Sequence, residues 1–260
     1  GLLEPSSGSA EVLGFNTRTQ SDQIRTRCGA LLEHNGLYER LSASDNLDFY
    51  GRVWHLSKQE RAARIQELLT NLGLWERRHE TAGSWSRGMK QKLAVARTLL
   101  HRPALVFLDE PTAGLDPLAS AALREDLTNL ARSEGVTIFL TTHNLAEAEK
   151  LCQQVAVIRQ GKLLAQGSPD ELRRTSGKPR LEIRGSSFSP LILETLKNHP
   201  QVSGLTLEAD RLVIDFKQDC ASAPFVSLLV QSGAQIEEVH KGKIDLEDAF
   251  LSLLEEEQVP

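Results

Sequence analysis

The sequence predicts an α/β chain in two parts: a largely parallel layered sheet over residues 1–175 and a small ferredoxin-like α+β domain over residues 176–260. Three observations predict it. Residues 104–108 and 136–140 are continuous apolar runs of strand length, the pattern of strands buried on both faces of a parallel sheet. Capped helical stretches alternate with them, which is the order of an α/β layer structure. After Thr175-Ser176-Gly177-Lys178-Pro179, whose Ser, Gly and Pro suit a linker, the pattern changes to strand, helix, strand, strand, helix, strand.

Taken in order, Ser57-Lys58-Gln59-Glu60 is a capping box, with Glu three residues after Ser. It opens a helix to about residue 72 with Ala62, Ile65, Leu68, Leu69 and Leu72 on one face. Ser86 is the N-cap of a helix reaching about residue 101. The run 104–108 follows and ends in Asp109-Glu110-Pro111. Asp116 and Pro117 are an N-cap and first-turn pair for a helix to about residue 133. After the run 136–140, Asn144 starts a helix through Cys152. Residues 155–158 are a third strand, Gln160-Gly161 turns the chain, and Ser168-Pro169-Asp170-Glu171 caps another helix. In the second part the strands are 181–184, 202–208, 212–216 and 235–239, with helices over 190–198 and 223–231. A final amphipathic helix is expected over 246–254.

Composition narrows the function. A formal charge of −5 and a pI near 5.9 argue against a nucleic-acid binder that works by neutralising phosphates. No run approaches the roughly 20 apolar residues of a membrane span, so any membrane role runs through a partner. The N-terminus has no basic segment and does not read as a signal peptide. Cys28, Cys152 and Cys220 are odd in number and in no metal spacing, which reads as buried, reduced thiols of a cytosolic protein.

The chemistry concentrates in residues 84–143. Two adjacent carboxylates, Asp109 and Glu110, close an apolar strand at the end where open α/β sheets bind ligands. Phosphoryl transfer needs such a pair, one acid beside Mg²⁺ and another group orienting the attacking water. His143 follows the next strand and can donate a hydrogen bond to a phosphate oxygen. Ser86-Arg87-Gly88 opens a helix whose N–H groups make an anion site, and Gly88 lets the backbone approach a phosphate closely. Taken singly, each feature fits a solvent-facing strand end, a surface histidine or a helix cap. Their joint order and spacing carry the reading.

At these residues the chain resembles the nucleotide-binding subunit of an ATP-binding cassette (ABC) transporter, and so a P-loop NTPase-like fold. Trp85-Ser86-Arg87-Gly88-Met89 resembles the signature motif, and residues 105–110 the Walker B strand. The resemblance implies that Asp109 is the Mg²⁺-associated carboxylate, Glu110 the catalytic base and His143 the switch histidine. Gly114-Leu115-Asp116 resembles the D-loop. In the family two subunits sandwich two ATP molecules, so Ser86, Arg87, Gly88 and Asp116 would serve the nucleotide bound to a second ATP-binding subunit, in a homodimer or heterodimer. Arg87 and Met89 stand where the commonest signature has Gly and Gln. The segment 28–38 resembles the Q-loop region with Glu33 in place of the usual Gln. Glu33 is either a Mg²⁺-side carboxylate or an exposed loop acid.

One motif is missing. None of Gly161-Lys162, Gly177-Lys178 or Gly242-Lys243 lies in G-x-x-x-x-G-K-[ST], the phosphate-cradling P-loop. Gly1-Leu2-Leu3-Glu4-Pro5-Ser6-Ser7-Gly8 resembles the family segment just after that loop, so the chain is expected to be N-terminally truncated, to bind ATP weakly and not to hydrolyse it by itself. Residues 244–253, with 36–41 and 46–51, resemble the daunorubicin-resistance type of exporter ATPase. That implies docking to an ABC-2 type transmembrane permease at the cytoplasmic face of the membrane. Leu37, Tyr38, Phe49, Tyr50 and Trp54 are candidates for the docking surface, with Phe49 and Trp54 expected in the core. The alternative is a non-catalytic partner cassette that lends its signature motif to a complete subunit.

Overall fold

Capping residues and apolar stripes set the helices, and the β-branched and leucine-rich runs set the strands. The computed structural model describes residues 3–176, 179–242, 246–247 and 249–251. They fall into two compact units, Gly1–His143 and Asn144–Pro260.

In the first unit a short hairpin, β1 (Glu11–Val12) and β2 (Phe15–Asn16), leads into α1 (Ser21–Arg25) and β3 (Cys28–Leu31). Two helices follow, α2 (Ala43–Val53) and α3 (Lys58–Asn71). The remaining elements are α4 (Arg87–Leu99), β4 (Leu105–Asp109), α5 (Pro117–Glu134) and β5 (Thr137–Thr141). The capping box forms as expected: Glu60 N–H donates to Ser57 Oγ at 3.2 Å, and Ser57 N–H donates to Glu60 Oε2 at 2.8 Å. Asp116 accepts from Ala119 N–H at 2.9 Å, and α5 stops at Gly135, whose φ of 63° supplies the left-handed C-terminal turn.

Strands β3, β4 and β5 form a parallel sheet in that order. Val106 and Leu108 point into a core shared with Leu31, Leu47, Leu68, Leu93, Leu99, Leu123 and Leu127. The sequence expectation of burial on both faces does not hold. Phe107 and Phe139 face each other across β4 and β5 with centroids 5.6 Å apart, and they stay 37% and 56% exposed. Their rings shield one another, so a run apolar at every position has one dry face and one half-covered face. Gly29 is needed where β3 meets α4: a Cβ there would lie 2.4 Å from the Thr98 carbonyl oxygen.

The apolar face expected for α3 is also revised. Ala62 is exposed, whereas Arg64 is 97% buried, its side chain only 3% accessible. Its guanidinium forms a fork with Glu134 at 2.7 and 2.8 Å and donates to the Leu99 carbonyl at 2.8 Å, tying α3 to the ends of α5 and α4. Next to it, His101 stacks on Trp54 at 3.7 Å, and its Nε2 lies 3.0 Å from the Cys28 carbonyl oxygen. A carbonyl only accepts, so Nε2 carries the hydrogen and Nδ1, buried without a partner, stays bare. Burial first, and the Arg64 charge in addition, hold the His101 pKa below the usual histidine value despite the carbonyl bond. The folded chain thus prefers neutral His101. The unfolded chain takes up the proton first, so stability present above about pH 6.5 is lost as pH falls toward the depressed folded value. The urea midpoint, followed by tryptophan fluorescence, should fall between about pH 7 and pH 5.5. His101→Phe, which keeps the stack, should flatten that fall; an unchanged slope would refute the assignment.

The second unit begins with α6 (Leu145–Leu151), capped by Asn144, then β6 (Val155–Arg159), β7 (Lys162–Gly167) and α7 (Pro169–Ser176). The third strand expected in the parallel layer is instead half of a hairpin: β6 pairs antiparallel with β7. Gln160 and Gly161 both have positive φ, 49° and 78°, which lets two residues reverse the chain. Ala148, Val157, Leu172 and Leu246 form a small core, so these elements belong to the second compact unit, which begins before the division expected at residues 175 and 176.

The rest is β8 (Arg180–Ser186), α8 (Pro190–Lys197), β9 (Val202–Glu208), β10 (Arg211–Phe216), α9 (Ala223–Gln231) and β11 (Gln235–Gly242). The sheet order β11-β8-β10-β9, antiparallel throughout, is the ferredoxin-like arrangement the sequence predicts. Leu181, Ile183, Leu212, Ile214 and Phe216 pack with Ile192, Leu196, Phe225 and Leu229 of the two helices. Part of the expected linker, at 177–178, and residues 248 and 252–254 of the expected last helix lie outside the described residues; residues 246–247 and 249–251 of that stretch are helical as expected. The three cysteines are unpaired and half-buried rather than fully buried, and burial raises each thiol pKa.

Candidate functional site

In a parallel sheet all strands end on the same edge, so β3, β4 and β5 deliver their C-terminal residues side by side. Asp109 is the last residue of β4 and pairs in register with Thr141, the last of β5. The Thr141 hydroxyl donates to Asp109 Oδ1 at 2.5 Å. Sequence reasoning gave Thr141 no role; the signal for one is its place at the end of the neighbouring strand.

Glu110 has φ 46°, a left-handed conformation that costs an ordinary residue about 1–2 kcal/mol. Its N–H donates to the Thr141 carbonyl at 3.1 Å, which holds the turn. The turn brings the carboxylate to His143: Glu110 Oε1 accepts from the His143 backbone N–H at 3.0 Å and lies 2.7 Å from His143 Nδ1. An ionised carboxylate only accepts, so Nδ1 carries the hydrogen. A further bond donated from Nε2 to a phosphate oxygen would require the protonated ring. The His143 side chain is 84% exposed, that of Glu110 30%.

Glu33 lies two residues beyond β3, on the same sheet edge as Glu110 two residues beyond Leu108. Its side chain is exposed.

The signature-like residues form a second group. Ser86 caps α4, its Oγ accepting from Met89 N–H at 3.3 Å. Arg87 donates to the Gly114 carbonyl at 3.2 Å, and a Cβ on Gly88 would lie 3.1 Å from the Ala119 Cβ. The start of α4 and the Gly114–Asp116 turn are therefore one assembly. Gln91 links it to the acidic strand end, donating to the Pro111 carbonyl at 2.8 Å. Ser86 and Arg87 are exposed.

The segment after Glu33 is anchored from α2 and α4. Buried Asn46 accepts from Tyr38 N–H at 2.8 Å and donates to the Tyr38 carbonyl at 3.0 Å. The Tyr50 hydroxyl donates to the Gly36 carbonyl at 2.6 Å, and the Arg97 guanidinium lies over the Tyr50 ring. Phe49, expected in the core, is 42% exposed and meets the edge of Tyr38 at 5.0 Å; Trp54 is half-buried against His101. Among the described residues no cluster of three or more His, Cys, Asp or Glu forms a protein-only metal cage, and no helix is long and apolar enough to cross a membrane.

The family described as ABC transporter matches residues 1–113. The bacitracin transport ATP-binding protein BcrA of Bacillus licheniformis is 32% identical over 254 residues, covering 98% of this chain and 81% of its own. The daunorubicin resistance ATP-binding protein DrrA3 of Streptomyces coeruleorubidus is 32% identical over 260 residues, covering 97% and 80%. A solved structure described as the ATP binding subunit of an ABC transporter superposes with a TM-score of 0.57 at 34% identity, over 67% of this chain and 72% of that one. With an acidic strand end, a serine-capped helix and a conformationally fixed histidine in that fold, the chain belongs to the ABC transporter ATP-binding protein family.

Proposed function

We propose that the chain is the ATP-binding and ATP-hydrolysing subunit that powers an ABC-2 type membrane exporter, held at the cytoplasmic face of the membrane by its permease. The observation that carries it is the double hold on Glu110 Oε1 by the N–H and ring of His143, at the C-terminal edge of a parallel sheet. That hold leaves Glu110 Oε2 to accept a proton from a water, which is the work of a general base. Asp109 suits Mg²⁺: it is an exposed hard oxygen donor, oriented by Thr141, and Mg²⁺ usually takes one or two carboxylates plus substrate phosphates rather than a protein cage. Bound there, the ion would neutralise phosphate charge; Asp109 would hold it, and Glu33 is a third acid on the edge that carries Asp109 and Glu110. Ser86, Arg87, Gly88 and Asp116 present an anion-binding helix start to the nucleotide of a second subunit. Residues 1–175, which take in the first compact unit and the opening elements of the second, serve as the nucleotide-binding domain, and 176–260 as an accessory domain. The exposed Tyr38 and Phe49, anchored through Asn46 and Tyr50, are the surface offered to the permease.

A second reading is a non-catalytic partner cassette that lends Ser86 and Gly88 to a complete subunit; the exposed, serine-capped start of α4 supports it. The 260 residues assayed by themselves are expected to show no ATP turnover above background. In an assembly with permease and ATP-binding subunits, Ser86→Asp separates the signature role from folding. Asp caps a helix as well as Ser does, so α4 keeps its start, but the added charge repels a triphosphate. ATP turnover should fall at least tenfold under both readings, with the melting curve unchanged. Turnover that survives Ser86→Asp would refute both.

A further inference from the structure

The ferredoxin-like sheet of the second unit has one face covered by α8 and α9 and one face open. Alternation along the strands puts Leu181, Ile183, Leu212 and Ile214 on the covered face and Glu182, Arg184 and Arg211 on the other. Pairing from β11 brings Glu238 beside Arg184 and His240 beside Glu182 on that open face. These side chains line a cavity of about 260 Å³.

Arg211 and Arg184 stand directly opposite each other on adjacent strands, a like-charge pairing that disfavours the sheet. Arg211 is relieved by Glu182, with Nη2 2.7 Å from Oε2. Arg184 is not relieved to the same degree. The nearest carboxylate oxygens, on Asp210 and Glu238, are both 3.9 Å away, beyond hydrogen-bond length. His240 Nε2 is likewise 3.6 Å from Glu238 Oε2. The cavity therefore holds two facing guanidiniums, one without a hydrogen bond among the described residues, and two carboxylates within reach of the same space.

Those groups select a ligand. Two guanidiniums form a clamp for a carboxylate. A bare anion in that clamp would meet Glu182 and Glu238, and a bare cation would meet the arginines. A small molecule carrying both charges a few ångströms apart satisfies both sets. We propose that the open sheet face of the C-terminal unit binds a free zwitterion of the α-amino-acid class, its carboxylate on Arg184 and Arg211 and its ammonium toward Glu182 and Glu238. The site is independent of the ATP reading, because none of its residues belongs to the Asp109–Glu110–His143 edge.

The test is calorimetric titration of the whole chain, at about 0.1 M ionic strength, with each of the twenty common α-amino acids. Acetate, inorganic phosphate and methylamine serve as single-charge probes. At least one amino acid should bind with a Kd below about 1 mM and at least tenfold more tightly than each single-charge probe. Arg184→Ala and Glu238→Gln should each weaken it at least tenfold. Both side chains are more than half exposed, so the melting curve should stay in place. The proposal is overturned if no amino acid binds below about 1 mM, if phosphate or acetate binds as tightly, or if both variants bind undiminished.

Discussion

Replacing Glu110 with Gln in a transporter assembly containing this chain is expected to lower ATP turnover by about 10²–10⁴-fold while nucleotide still binds. The size follows from what the side chain does. Glutamine keeps the shape and can still accept from the His143 N–H, but it has no basic oxygen for the proton of the attacking water. The loss corresponds to about 3–5 kcal/mol of barrier. His143→Ala should cost turnover as well, because Glu110 is then left in a left-handed backbone with only the backbone N–H holding its carboxylate. The measurement is steady-state phosphate release beside equilibrium ATP binding. Undiminished turnover in Glu110→Gln, together with loss of turnover in Ser86→Asp, would assign the chain the lending role instead.

The largest effect on folding is expected at Arg64. Arg64→Met should destabilise the first unit by about 3–5 kcal/mol, the range for removing one partner of a buried ion pair. Burial works against the Arg64 charge, yet the bonds it donates to Glu134 and Glu67 more than offset it and hold the guanidinium pKa above its ordinary value. Without Arg64, the Glu134 carboxylate, 8% exposed, loses its fork, and the Leu99 carbonyl loses its donor. The double variant Arg64→Met, Glu134→Leu should recover part of the loss, since an apolar pair leaves no charge stranded. Urea unfolding followed by tryptophan fluorescence isolates this unit, because Trp54, Trp75 and Trp85 all lie in it. A loss below about 1 kcal/mol would place Arg64 among ordinary surface pairs.

Much of this was readable in one dimension because the signals are local. A cap and its helix lie within a few residues, so Ser57, Ser86, Asp116 and Asn144 each mark a helix start where the structure has one. The ferredoxin-like order was legible for the same reason: each strand and helix of residues 180–242 carries its own period and its own turn. The acidic strand end was legible because Asp109 and Glu110 are adjacent and follow an uninterrupted apolar run.

By itself, then, the sequence determined where most helices and strands begin, the class of fold and which side chains are candidates for phosphate chemistry. Tertiary structure alone decided what those side chains do to one another. Thr141 orients Asp109 across 32 residues, and His143 grips Glu110 across 33. Arg64, charged within an apolar stripe, is buried only because Glu134, 70 residues away, meets it. The strand over residues 155–158 looked like a member of the parallel layer, and its pairing with β7 made it a hairpin. Hydrophobic period reports which faces prefer to be dry. It carries no information about which distant residue closes over that face, and partners of buried charges and strand neighbours are set there.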